Sequence, residues 1–247
     1  MSKKLMFMAF VIGVIVGIAG FWTTITVMTS PTTQLTLDQM YKNAMSDVIF
    51  PDASRVAHNL TAIVESNTNL TWQGEGENRT VLMVTFTKYP NSYPVGGEVN
   101  MTWGETWVTV YPEMKNYFKN HVAANSNYTL RAEELLGLPA NSGNTYFVEV
   151  WVKPKDLFRP TPDNEINDTT AQLTFSPNVD PAYKKWFNDN IIYSYFTKAY
   201  PWTRLGYTYD WGDPNHPFGL SEFVIKKNSI VYVKSVTYVD DYLSNMP

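Results

Sequence analysis

The chain has 247 residues, 44% of them apolar, and no cysteine. It is long enough to bury a core without disulfides, and the missing thiols exclude both a disulfide framework and a thiolate metal site. Outside Lys3 and Lys4 it carries 17 basic against 23 acidic side chains, a net charge of −6, which would repel a phosphate backbone and excludes nucleic acid as a natural partner.

Residues Leu5 to Met28 contain no charge. At about 1.5 Å per residue the run spans roughly 36 Å as a helix, enough to cross a hydrocarbon core of about 30 Å. Two lysines precede it, and the next ionisable side chain is Asp38. This asymmetry predicts a cytoplasmic N-terminus and an exported C-terminal region. A cleavable signal peptide is the competing reading, with Leu5 to Val16 as its apolar core and Gly17 and Ala19 before the cut. Apolar character continues through Phe21, Trp22, Ile25 and Val27, which suits an uncleaved anchor; both readings export the domain. Gly13 and Gly17 form a small-xxx-small pattern that would let two such helices approach.

The expected organisation is an anchor over 1–29, a tether over 30–35 and an extracytoplasmic domain over 36–247. A helix should start at Thr36, whose side chain can cap it while Gln39 reaches back to complete a capping box, with Met40, Ala44 and Val48 on one face. Short strands are expected at 60–64 and 69–73. A central strand, apolar on both sides, is expected at 80–87. Another strand over 106–111 precedes a helix over 113–120. A helical turn at 130–136 stops at Gly137, and a strand follows over 146–152. The proline-rich stretch 154–163 reads as loop and 181–195 as helix with Pro181 in its first turn. The end reads as a hairpin, 222–225 with 230–236. The fold class predicted is α+β: one mixed, mainly antiparallel sheet domain with short helices, preceded by one transmembrane helix.

Six Asn-x-Thr sequons begin at Asn59, Asn69, Asn78, Asn100, Asn127 and Asn167, and none contains proline. On an exported domain they are candidate glycosylation sites.

The richest stretch for chemistry runs from Tyr200 to Ile225. It holds Trp202, Tyr207, Tyr209 and Trp211 beside Arg204, Asp210, Asp213, His216 and Glu222. With Asp156-Leu-Phe-Arg-Pro160 it resembles the signature stretches of uncharacterised families of secreted or membrane-anchored proteins. The resemblance covers about a sixth of the chain and implies no activity.

Glu149, Glu222, Arg204 and His216 are candidates for acid–base work, with Arg159 as an alternative to Arg204. Glu149 and Glu222 each lie in an apolar strand, where desolvation would raise a carboxyl pKa. Arg204 or Arg159 could orient an anion and His216 could move a proton near neutrality. The bland reading places each glutamate on the solvent side of its strand. Trp202, Tyr207, Tyr209 and Trp211 are candidates for a ligand platform, Trp202 and Trp211 because they lie in loop-like sequence; core plugging is the alternative. Trp72, Trp107 and Trp151, in predicted strands, are assigned to the core. Asp210, Asp213 and Asn215 offer hard oxygens, yet their spacing is that of a turn rather than of a calcium loop, and His58, His121 and His216 lack a zinc spacing. No metal or cofactor is predicted.

The function expected is that of a membrane-anchored extracytoplasmic domain binding a glycan, peptide or envelope component at the cell surface. The alternative is an extracytoplasmic hydrolase or transferase using Glu222 with Arg204 or His216.

Overall fold

A computed structural model describes residues 35–244. The hydrophobic segment Leu5–Met28, its glycine pattern and nearly all of the tether lie outside the described residues. Among the described residues no helix is long and apolar enough to cross a membrane.

The domain is α+β. Among the described residues its strands are β1 (Trp72–Gln73), β2 (Thr80–Thr87), β3 (Glu98–Asn100), β4 (Thr106–Val110), β5 (Tyr146–Val152), β6 (Leu157–Phe158), β7 (Tyr207–Tyr209), β8 (Phe218–Ile225) and β9 (Ile230–Tyr238). The helices are α1 (Leu37–Asp47), α2 (Glu113–His121), α3 (Tyr128–Leu135), α4 (Pro181–Ile192) and α5 (Val239–Ser244). The sheet order is β3-β9-β5-β2-β4-β8-β6, with β1 added on β2 and β7 on β8, and every pairing is antiparallel. The two-sided apolar strand β2 is central, paired with β4 and β5.

The expected hairpin is overturned. β8 and β9 follow one another in the chain but are separated in the sheet by β4, β2 and β5. Four strand spacings in a flat sheet cover about 19 Å, whereas the five steps from Ile225 to Ile230 reach at most about 18 Å. The sheet must therefore curl, and the connection crosses its end. Along that path Lys226 N–H donates to Asp156 C=O at 2.9 Å and Asn228 N–H to Met101 C=O at 3.0 Å. The expected strand at 60–64 is also absent. That segment is extended but joins no ladder; Leu60 N–H donates to Thr169 C=O at 2.9 Å and Ile63 N–H to Ile166 C=O at 2.6 Å.

One sheet face buries Val81, Met83, Val108, Val110, Val148, Val150, Phe223 and Ile225 beneath that extended segment. The other carries two helical covers. Met114 and Phe118 of α2, Ala132 and Leu135 of α3, and Tyr242 and Leu243 of α5 pack with Val84 and Phe147. Tyr183 and Phe187 of α4 pack with Phe158, Trp202 and Val224. A cleft opens on this face, lined by α4, the end of α3, and strands β4, β7 and β8.

The helices start where their caps say. In α1 the Thr36 N–H donates to Gln39 Oε1 at 2.9 Å and the Gln39 N–H to Thr36 Oγ1 at 3.2 Å, the reciprocal box read from sequence. In α4 Asp180 accepts from the Ala182 N–H at 2.8 Å with Pro181 in the first turn. α3 is capped by Asn127, which accepts from Leu130 N–H at 3.0 Å. It ends at Gly137, whose φ of +67° suits a residue without a Cβ and carries Leu138 onto the cleft wall.

Candidate functional site

The cleft encloses about 600 Å³, within the range of about 300–1,000 Å³ usual for small-molecule sites. Its floor is the sheet: Trp107 of β4 and Glu222 of β8, with Thr208 of β7 alongside. One wall is Leu136, Gly137 and Leu138. The opposite wall is α4 and the turn after it, which present Trp186, Asp189, Asn190 and Tyr193. Those four positions follow the i, i+3, i+4, i+7 spacing of one helix face. Tyr200 to Thr203 closes the back, and Trp103 to Glu105 forms a rim.

Aromatic rings dominate. Trp107 and Trp202 meet edge to face with centroids 5.8 Å apart, and Trp186 lies 6.5 Å from Trp107 and 6.3 Å from Trp202. Trp103 is 51% exposed at the rim, its indole N–H donating to Thr106 Oγ1 at 3.3 Å. The ionisable side chains on the lining are Glu105, Asp189, Glu222 and four tyrosines; no lysine, arginine or histidine is among them.

Glu222 is the chemical centre. Its backbone is tied down, the N–H donating to Gly206 C=O at 2.9 Å and the residue standing opposite Thr109 in the ladder. The side chain borders the cleft, yet Oε2 is shut off from solvent and has no hydrogen-bond partner in the protein. Burial alone pushes its pKa up to about 8, so at pH 7 it is a neutral acid able to donate. Trp202 Nε1 is a second buried polar atom on the lining with no protein partner.

A second buried carboxyl, Glu113 at the start of α2, lies off the lining and was missed in the sequence. Burial lifts it to about 7, opposed by hydrogen bonds from the Thr61 hydroxyl and from Ser221 N–H at 3.0 Å.

The other predicted acid–base residues do not join Glu222. Glu149 pairs with Lys234 at 2.8 Å beneath the other helical cover, so its charge is neutralised rather than turned to water or to the cleft. Arg204 sends its guanidinium to the C-terminal end of α1, donating to Val48 C=O at 3.1 Å and Ile49 C=O at 2.6 Å and lying over the Tyr195 ring. A cation is favoured there because free carbonyls gather at a helix end. His216 has an 84% exposed side chain, 3.4 Å from Asp213 in a turn. Arg159, the other candidate anion binder, is 0% exposed and paired with Asp168 at 2.6 Å.

The aromatic platform is redistributed as well. Trp211 is 1% exposed and belongs to the core, its N–H donating to Leu138 C=O at 2.8 Å and its ring edge-on to Tyr41. Trp202 is buried against Phe187 and forms cleft wall, not an exposed shelf. Tyr207 and Tyr209 also line the cleft, but their hydroxyls are already engaged with Arg55 C=O at 3.0 Å and Asp47 Oδ2 at 2.6 Å. Trp107, assigned to the core by its strand, lies on the floor. Trp186 and Trp103 complete the set; the helical spacing of Trp186, Asp189, Asn190 and Tyr193 was the signal that could have found one wall.

Asp210 is taken up by Arg131, whose Nη1 donates to Oδ1 at 2.8 Å. Asp213 caps the His216 turn. Among the described residues no group of three or more histidine, cysteine, aspartate or glutamate side chains could hold a metal ion.

No protein-family model, no curated protein and no solved structure matches the chain. None of these comparisons bears on the resemblance expected from Tyr200 to Ile225 and Asp156 to Pro160. The first stretch supplies the back wall of the cleft, β7 and β8, so function has to be argued from the cleft itself.

Proposed function

We propose that the chain is a membrane-anchored, extracytoplasmic binding domain that holds a neutral saccharide in this cleft. One observation carries the reading: the cleft joins tryptophan and tyrosine rings to carboxyl groups without a basic side chain. Sugar rings present apolar C–H faces to aromatic rings and hydroxyls to carboxyl and amide groups. A phosphate or carboxylate ligand would meet Glu105 and Asp189 with no cation on the lining; Lys185, 2.5 Å from Asp189, lies off it. Export rests on the hydrophobic segment and its lysines. The six sequon asparagines are all exposed and none lines the cleft, which supports their use as glycan acceptors on the same exported domain.

The test is a titration of the full-length chain with neutral oligosaccharides, followed by tryptophan fluorescence. Saturable change in the wild type, weakened in Trp103→Ala and Tyr193→Ala, supports the reading. No response to neutral sugars alongside binding of anionic ligands contradicts it.

A hydrolytic reading is favoured by the state of Glu222. A carboxylic acid that stays protonated near neutrality is what departure of a glycosidic oxygen requires, and Asp189 and Glu105 line the same cleft as candidate second carboxylates. Glu222→Gln separates the two: retained binding with lost turnover supports an enzyme, and no turnover by the wild type on any bound sugar supports binding alone.

A further inference from the structure

The cleft has a side cavity, and it carries a statement about ligand class that rests on the saccharide reading above. A recess of about 80 Å³ continues past Glu222, sharing Trp107, Leu136, Leu138 and Thr208 with the main cleft. Its inner surface is mainly apolar, formed by Val84, Phe86, Val108 and Phe147, with Thr85 and Thr109 the further polar residues on the lining. At roughly 30 Å³ per water-sized group it accepts two or three heavy atoms, too few for a sugar ring.

A ring hydroxyl sent into this recess would lose its water and find few partners. The Thr208 hydroxyl is already spent, donating to Leu135 C=O at 2.6 Å and accepting from Leu220 N–H at 2.9 Å. Burying a hydroxyl without a partner is unfavourable by about 1–3 kcal/mol, whereas burying a methyl group is favourable. The mouth of the recess differs from its depth: there Glu222 presents a buried carboxyl oxygen with no partner in the protein.

We propose that the cleft selects a saccharide bearing an acetyl group, with the methyl in the recess and the carbonyl accepting a hydrogen bond from Glu222. An acetyl group has the required order, a polar atom at the mouth and a small apolar end, and its three heavy atoms match the volume. Burial keeps Glu222 protonated at neutral pH, which supplies the donor that a carbonyl needs. Amide-linked and ester-linked acetyl groups present the same two features.

Calorimetric titration of the full-length chain with four trimers tests this: N-acetylglucosamine, its N-butanoyl analogue, cellotriose, and cellotriose O-acetylated at the 2-position. The acetylated trimers should bind about tenfold or more tighter than cellotriose, since one apolar group in a fitted pocket is worth about that factor. Preference for the amide-linked or for the ester-linked trimer identifies the source, and either supports the assignment. The N-butanoyl trimer should lose about tenfold against the N-acetyl trimer, because two further carbons overfill the recess; this arm needs no variant. Leu138→Phe, which fills the recess from its wall, should bring the ratio of acetylated to bare trimer to about one. Equal binding of acetylated trimers and cellotriose by the wild type overturns the acetyl assignment and leaves the saccharide reading intact. Undiminished binding of the N-butanoyl trimer overturns it too. Failure of all four trimers to bind overturns both.

Discussion

Glu149 and Glu222 stand in one row across the sheet, linked residue by residue through Val84 and Thr109, with β2 and β4 between them. Three strand spacings put their backbones about 14 Å apart on the same face. They nevertheless have opposite fates. Glu149 finds Lys234 at 2.8 Å, while Glu222 reaches the gap between the helical covers and keeps a carboxyl oxygen unpaired.

Stability should depend on pH because of Glu222 and Glu113. Their native pKa values, about 8 and about 7, lie above the ordinary 4.5. Between 4.5 and those values the native state holds protons that the unfolded chain has released. Their contribution is fully present below about pH 4.5 and is lost as pH rises, to about 7 for Glu113 and about 8 for Glu222. At about 1.4 kcal/mol per pKa unit the combined effect is on the order of several kcal/mol. Urea unfolding at pH 5, 7 and 9 should show a continuous fall in the midpoint. Glu222→Gln should flatten the part between pH 7 and 8, leaving the slope that belongs to Glu113.

Two kinds of tryptophan should respond differently to truncation. Trp103→Ala removes an exposed ring and should weaken ligand binding about tenfold while lowering stability by no more than about 1 kcal/mol. Trp211→Ala empties a fully buried site and orphans the Leu138 carbonyl, at a cost of about 3–5 kcal/mol. Thermal unfolding and fluorescence titration on the same samples separate the effects.

Much of the scaffold was legible because it is local. The capping box of α1, the strands 80–87 and 146–152, and the proline start of α4 follow from spacing within a few residues. The hairpin was not, because adjacency in sequence says nothing about the three intervening strands from earlier in the chain. The site divides the same way. Glu222 could be picked out as a carboxyl in an apolar strand, but so could Glu149, and only tertiary placement gives one a lysine. Arg204 and His216 are close to Glu222 in sequence and are drawn off, one to the end of α1 and the other to a solvent-exposed turn. Trp107 reads as core because alternation marks a face as covered without saying that the cover has a gap.

Breaking the pair of Arg159 and Asp168 should destabilise the fold rather than alter binding. Arg159 also donates to Thr61 C=O at 3.0 Å and Asp168 C=O at 2.9 Å, holding two extended segments to the sheet. Asp168→Ala leaves a buried guanidinium without its counter-charge and should cost about 3 kcal/mol in a denaturation experiment.

Asn127 has two tasks that can be separated. Its side-chain oxygen caps α3, and its nitrogen is the proposed glycan acceptor. Asn127→Asp should keep the cap and lose the glycan, visible as a lower intact mass with nearly unchanged stability. Asn127→Ala should lose both and about 1 kcal/mol.

The central claim is that Glu222 is an unpaired, protonated acid facing a ligand cleft. A ¹³C NMR titration of its side-chain carboxyl, with and without a bound neutral trisaccharide, tests this directly. The expected midpoint is near pH 8 in the free protein, with a clear shift when the sugar is added. A midpoint near 4.5 that the sugar leaves unmoved would contradict it.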